Sequence, residues 1–285
     1  FMIDARLNEV VEVFGQPTLP AGEFEPTFMA VNQATGWVYA KNTGYTSVYY
    51  PLKKLDPGTA EFEDMPYIYD GFGDATNIFD CVFSEKTGSL YSLTLTFFSG
   101  GFSYSSSISG LYTVENENSI NFTYPLFNYF SVPARIAISN DAKFIYYTCR
   151  DGALSVLENH IAVLNLETGL QVAYIRGMTP YHISVSPNGK YIVANNNRFD
   201  SGAATPTDGN WLFLYETEKM PFITDLATEA DLDQDGLRIV YNVKSNLPNG
   251  SPWIFENKFA PDGKRIYCTC DNAAPDGYRK FLCIS

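Results

Sequence analysis

No stretch of this chain approaches the ~18 consecutive apolar residues that a membrane-crossing helix requires, so membrane insertion by helices is excluded. Histidine is scarce. His160 and His182 are the only two in 285 residues, too few for a copper cluster, a histidine-built catalytic zinc or a haem pocket resting on several convergent ligands. Basic residues are few as well: 19 Lys and Arg stand against 32 Asp and Glu, a net charge of −13. Such a chain repels phosphate backbones and anionic lipid surfaces, and it carries no basic stripe to offset that repulsion. Nucleic acid is therefore not an expected partner. The five cysteines, Cys81, Cys149, Cys268, Cys270 and Cys283, are odd in number and too sparse for a disulfide scaffold. The sequence has neither a Gly-x-Ser-x-Gly elbow nor a phosphate-binding glycine loop, so no nucleotide cofactor is expected. Helical periodicity is nearly absent; its best candidate, residues 224–231, would make one or two turns.

Against these absences, 45% of residues are hydrophobic and 15% aromatic, with 20 Tyr and 21 Phe, enough for a large core. The same pattern recurs five times: an apolar run, a tight turn and a second β-rich run. The copies are residues 28–39, 80–91, 135–146, 182–193 and 257–267, with Val31, Phe83, Ile138, Val185 and Phe259 as equivalent anchors. Pro187-Asn188-Gly189 and Pro261-Asp262-Gly263 are turn sequences in which proline presets φ and glycine accepts a positive φ. Further strands follow each pair, as at residues 160–165 and 171–176. Four short antiparallel strands every 40–55 residues or so describe a propeller blade.

The segments HISVSPNGKYIVANNN and KFAPDGKRIYCTC, with IAVLNLETGLQVAYI before them, resemble the YVTN-type repeats of surface-layer propellers and the related lactonase-type propellers. The likeness is clear over residues 131–285 and degenerate over 24–130. The expected fold is all-β: one β-propeller domain spanning 1–285, with four-stranded blades starting near residues 25, 77, 132, 180 and 254. Five blades are expected, or six if residues 237–243 seed another. The run over residues 2–15 reads as the strand that completes the last blade and closes the ring, removing a free sheet edge. Both ends of the chain are abrupt, as in a subunit or fragment of a larger assembly, and residues 1–6 lack the layout of a signal peptide.

The turns between first and second strands are short, whereas several loops between second and third strands are long: 97–110, 150–159, 195–211 and 271–278. Binding chemistry concentrates on loops held by a rigid scaffold, so this face is the expected site, with Phe98, Phe102, Tyr104, Asn197, Trp211 and Tyr278 as contact residues. Asp231, Asp233 and Asp235, followed by Gly236, alternate oxygens as calcium loops do. Asn242 and Ile239 stand where the closing acidic ligand of two such loop types would be, so a solvated acidic turn is the competing reading. Cys268 and Cys270 share one strand face, and Cys283 lies on the neighbouring strand; buried free thiols are the expected state, with a bridge within the last blade the alternative. Asn121 and Asn249 head N-glycosylation triplets.

Two functions follow. The first is a non-enzymatic, extracytoplasmic binding or structural propeller that presents the long-loop face to a protein or glycan. The alternative, implied by the lactonase resemblance, is a hydrolase at the channel mouth. It would use His182, Arg198, Arg150 and Asp151, with Arg135, Asn195 and Asn197 nearby.

Overall fold

The computed structural model describes residues 2–4, 9–12, 26–42, 52–56, 58–59, 61–64, 76–97, 104–113, 122–126, 131–151, 160–176, 180–196, 211–218, 238–242, 253–271 and 279–284. All of the secondary structure among them is β, and no helix among them is long and apolar enough to cross a membrane. The helical candidate at 224–231 lies outside the described residues.

Strands β1 (Met2–Asp4) and β2 (Glu9–Glu12) pair antiparallel. Four antiparallel meanders of four strands follow. The first is β3 (Pro26–Val31), β4 (Val38–Asn42), β5 (Leu52–Asp56) and β6 (Glu61–Asp64). The second is β7 (Thr76–Ser84), β8 (Ser89–Phe97), β9 (Tyr104–Thr113) and β10 (Phe122–Leu126). The third is β11 (Ser131–Ile138), β12 (Phe144–Asp151), β13 (His160–Asn165) and β14 (Gln171–Arg176). The fourth is β15 (Pro180–Val185), β16 (Tyr191–Asn196), β17 (Trp211–Glu216) and β18 (Arg238–Asn242). A three-stranded meander, β19 (Trp253–Phe259), β20 (Ile266–Asp271) and β21 (Arg279–Ile284), ends the chain. The first strands pack in succession, β3 on β7, β7 on β11, β11 on β15 and β15 on β19, which makes them the innermost strand of each sheet.

Two expectations change against this topology. The run at 237–243 contributes β18, the fourth strand of the fourth sheet, rather than the start of an extra one. The serine-rich stretch after Phe97 is not a loop through to Gly110: Tyr104–Thr113 forms β9, registered between β8 and β10. Serine reads as loop by composition, yet a strand flanked on both sides satisfies its backbone through the ladder. At the N-terminus β1 and β2 pair with each other, and no ladder among the described residues joins either to β21.

Side-chain alternation explains why the second strands are apolar on both faces. Along β12, Ile145 and Tyr147 point into a core shared with Tyr91 and Leu93 of the second sheet. Tyr146, between them, points the other way, into a core with Ile183, Ile192, Phe213 and Tyr215 of the fourth. A third core joins Val193 and Leu212 of the fourth sheet to Cys268 of the last. Sheets stacked face to face bury both surfaces of each inner strand, so period two sorts residues between two interfaces.

The first turns of the third and fourth sheets are built alike. Ser139 Oγ donates to Asp141 Oδ1 at 2.7 Å and accepts the Phe144 N–H at 2.9 Å. Ser186 repeats this with Asn188 and Tyr191, at 2.7 and 2.9 Å. Gly189 takes φ 71° in its turn, but Ala142 fills the same place in the other at φ 57°.

Candidate functional site

The residue three before each repeat anchor is Phe28, Asp80, Arg135, His182 or Glu256, so four of five are polar. Each ladder between first and second strands slips in register just there: between Pro26 and Met29, Ile78 and Asp80, Pro133 and Arg135, Pro180 and Ile183, and Ile254 and Glu256. Such a bulge withdraws a backbone donor from the ladder and re-aims a side chain. In two sheets the second strand supplies the missing acceptor. The Arg135 N–H donates to Thr148 Oγ1 at 3.0 Å, and the His182 N–H donates to Asn195 Oδ1 at 2.7 Å.

The re-aimed side chains stitch sheet to sheet. Asp80 accepts the Ile136 N–H of the third sheet at Oδ2 and the Cys81 N–H at Oδ1, both at 3.0 Å. His182 stands in the same relation to the last sheet, its Nδ1 accepting the Asn257 N–H at 3.5 Å. Asn257 returns the link: Nδ2 donates to the His182 carbonyl at 3.2 Å and to Asn195 Oδ1 at 3.1 Å, and its Oδ1 accepts from Ser184 Oγ at 2.9 Å. Asp80, His182, Ser184, Asn195 and Asn257 are all buried. Paired as they are, they meet the requirement that buried polar groups be bonded.

Burial also sets the charge states. It raises the Asp80 carboxyl to about 6, while the Arg135 charge, the Ile136 N–H and the Lys258 charge pull it partly back. Burial pushes the His182 imidazole well below its usual range, and the positive charges of Lys258 and Arg135 push it further. His182 is thus neutral near pH 7, with its ring proton on Nε2 because Nδ1 is the acceptor.

Of the expected channel residues, Arg135, His182 and Asn195 converge, joined by Asp80, Asn257 and Lys258, which the sequence reading missed. The signal that could have found Asp80 is the polar column itself. Arg150 and Asp151 end β12 opposite Val132 and Ser131. Tyr104 opens β9 opposite Phe97, and Trp211 opens β17 opposite Asn196. All four therefore mark the edge where second strands lead into third strands. Phe98, Phe102, Asn197, Arg198, Tyr278, Asp231, Asp233, Asp235, Asn121 and Asn249 lie outside the described residues. Among the described residues no three His, Cys, Asp or Glu side chains gather as a metal site. Cys81, Cys268 and Cys283 are free thiols. Cys283 registers opposite Tyr267, while Cys268 registers opposite Leu282. Cross-strand partners share a face, so Cys283 lies on the face away from Cys268, in keeping with free thiols rather than a bridge between them.

Comparison with solved structures places this arrangement among known folds. The hydrazine synthase of Kuenenia stuttgartiensis matches at a TM-score of 0.57 and 15% identity, over 95% of this chain and 69% of that one. A putative TolB from Agrobacterium tumefaciens matches at 0.57 and 12%, over 92% and 77%. A gluconolactonase from Xanthomonas campestris matches at 0.54 and 11%, over 86% and 70%. These are propeller-type proteins. The chain is related in fold to the β-propellers. At these identities the likeness concerns the propeller fold alone. No protein-family model matches the sequence, and no curated protein matches it.

Proposed function

We propose that this chain is a non-enzymatic, extracytoplasmic binding or structural propeller of five blades, closed through its N-terminal strands, that presents the edge bearing Tyr104 and Trp211 to a protein or glycan. The observation that carries the reading is the use made of His182. A hydrolase needs a base within reach of substrate and free to take a proton. Here the imidazole is 6% exposed, its Nδ1 is engaged by the next sheet, and burial beside two cations opposes its protonation. Its neighbours Asn195, Asn257 and Ser184 are engaged with one another, Asn257 bonding both. The cluster is a lock between sheets, and recognition is left to the loops. The residues at 231–236 would add a structural calcium, held by Asp231, Asp233 and Asp235.

The test is binding to an immobilised glycan and protein array by the native chain and by alanine variants at Phe98, Phe102, Tyr104, Trp211 and Tyr278. Loss of a saturable interaction in one or more variants, with thermal stability retained, supports the assignment. Interactions that survive all five substitutions refute it.

A further inference from the structure

On the opposite face, where first strands turn into second strands, the third and fourth sheets enclose a cavity of about 510 Å³. That volume falls within the roughly 300–1,000 Å³ of small-molecule sites. The half-buried Phe144 and the fully buried Tyr146 line its base, and its rim is polar, including Asn140, Asn188, Lys190 and Glu218.

The walls are fixed by hydrogen bonds that cross between turns. Asn140 Nδ2 donates to the Pro187 carbonyl at 2.7 Å, tying the turn of the third sheet to that of the fourth. Thr217 closes the far side, with Oγ1 donating to the Gly189 carbonyl at 2.6 Å and its N–H to the Lys190 carbonyl at 2.9 Å. Preformed walls spare a ligand the cost of ordering the loops around it.

The charge pattern selects the ligand. Asp141 lines the cavity but is committed: Oδ1 accepts from Ser139 Oγ and the Lys143 N–H, and Oδ2 faces Lys143 Nζ at 3.8 Å. With exposed Asp141 set against exposed Lys143, the exposed Glu218 and Lys190 balance each other, and the rim has no net charge to reward an ion of either sign. A half-buried phenyl ring under a rim of amides and balanced charges suits a molecule with an apolar C–H face and many hydroxyls. We infer that this cleft binds a neutral saccharide unit, as a second site separate from the long-loop face. The inference rests on the reading of the chain as a binding propeller and adds a face and a ligand class to it.

The experiment is calorimetric titration of the native chain with cellotriose, maltotriose and triacetylchitotriose, with galacturonic acid trimer and chitosan trimer as charged counterparts. At least one neutral trimer should bind saturably, more tightly than either charged one. Glu218→Gln and Lys190→Met, both exposed rim positions, should each weaken it at least fivefold while thermal unfolding stays unchanged. Absence of neutral-sugar binding, or a preference for a charged trimer, overturns the inference. Binding that survives both rim substitutions but falls in Trp211→Ala also overturns it, and leaves the long-loop reading standing. Binding lost only at the rim, with the five long-loop variants inert on every array partner, retains the cleft and refutes the other face.

Discussion

Asp80 is the residue at which pH should be felt. Its carboxyl titrates at about 6 in the folded chain, against an ordinary value of 3.8. The folded state therefore binds this proton more tightly than the unfolded one, so the contribution is most favourable below pH 4. It falls as pH rises through 6 and is level above that. At ~1.4 kcal/mol per unit the change is about 3 kcal/mol. Urea denaturation between pH 4 and 8 should show this decline in the native chain and its absence in Asp80→Asn. Asn257 poses a different question. Asn257→Ala removes a donor to the His182 carbonyl and to Asn195 and an acceptor for Ser184, and should cost about 1–3 kcal/mol. An unchanged denaturation midpoint would show that the lock contributes nothing. His182, Arg135 and Asn195 were legible in the sequence because they sit in or beside the clearest repeats. Asp80 was marked only by the polar column it shares with Arg135 and His182, and the role of Asn257 depends on which sheet packs against which, which is not written locally.

At the scale of elements, the turns were the most legible feature, since proline, serine and glycine act through local geometry. They also give a paired prediction. Ala142 bears φ 57°, a conformation costing a residue with a Cβ about 1–2 kcal/mol, partly offset by the ~0.4–1 kcal/mol of unfolded-chain entropy that glycine adds. Ala142→Gly should therefore stabilise by about 0.5–1 kcal/mol. Gly189→Ala should destabilise by more than that, because φ is 71° and the new Cβ would lie 3.2 Å from Asn140 Nδ2. Both are read from the midpoint of thermal unfolding, and equal shifts would contradict the argument. Strand β9 was the least legible element: a run of serines has no apolar alternation to announce it, and its two neighbours in the sheet define it instead.

For the whole molecule, the repeat pattern was enough to indicate an all-β propeller, because spacing and turn chemistry recur along the chain. Function was less legible, since propellers of one shape serve unrelated ends. Calcium is one global handle. Millimolar calcium should raise the unfolding temperature by several degrees if 231–236 holds an ion that the unfolded chain does not. Asp233→Ala should abolish the rise, and no rise would reduce the segment to a solvated turn. The most direct test of the central claim is turnover. The purified chain, incubated with a panel of sugar lactones in a pH-stat, should release no acid above the spontaneous rate. Hydrolysis that saturates with substrate and disappears in His182→Ala, with the fold retained, would contradict the account and make the channel cluster an active site.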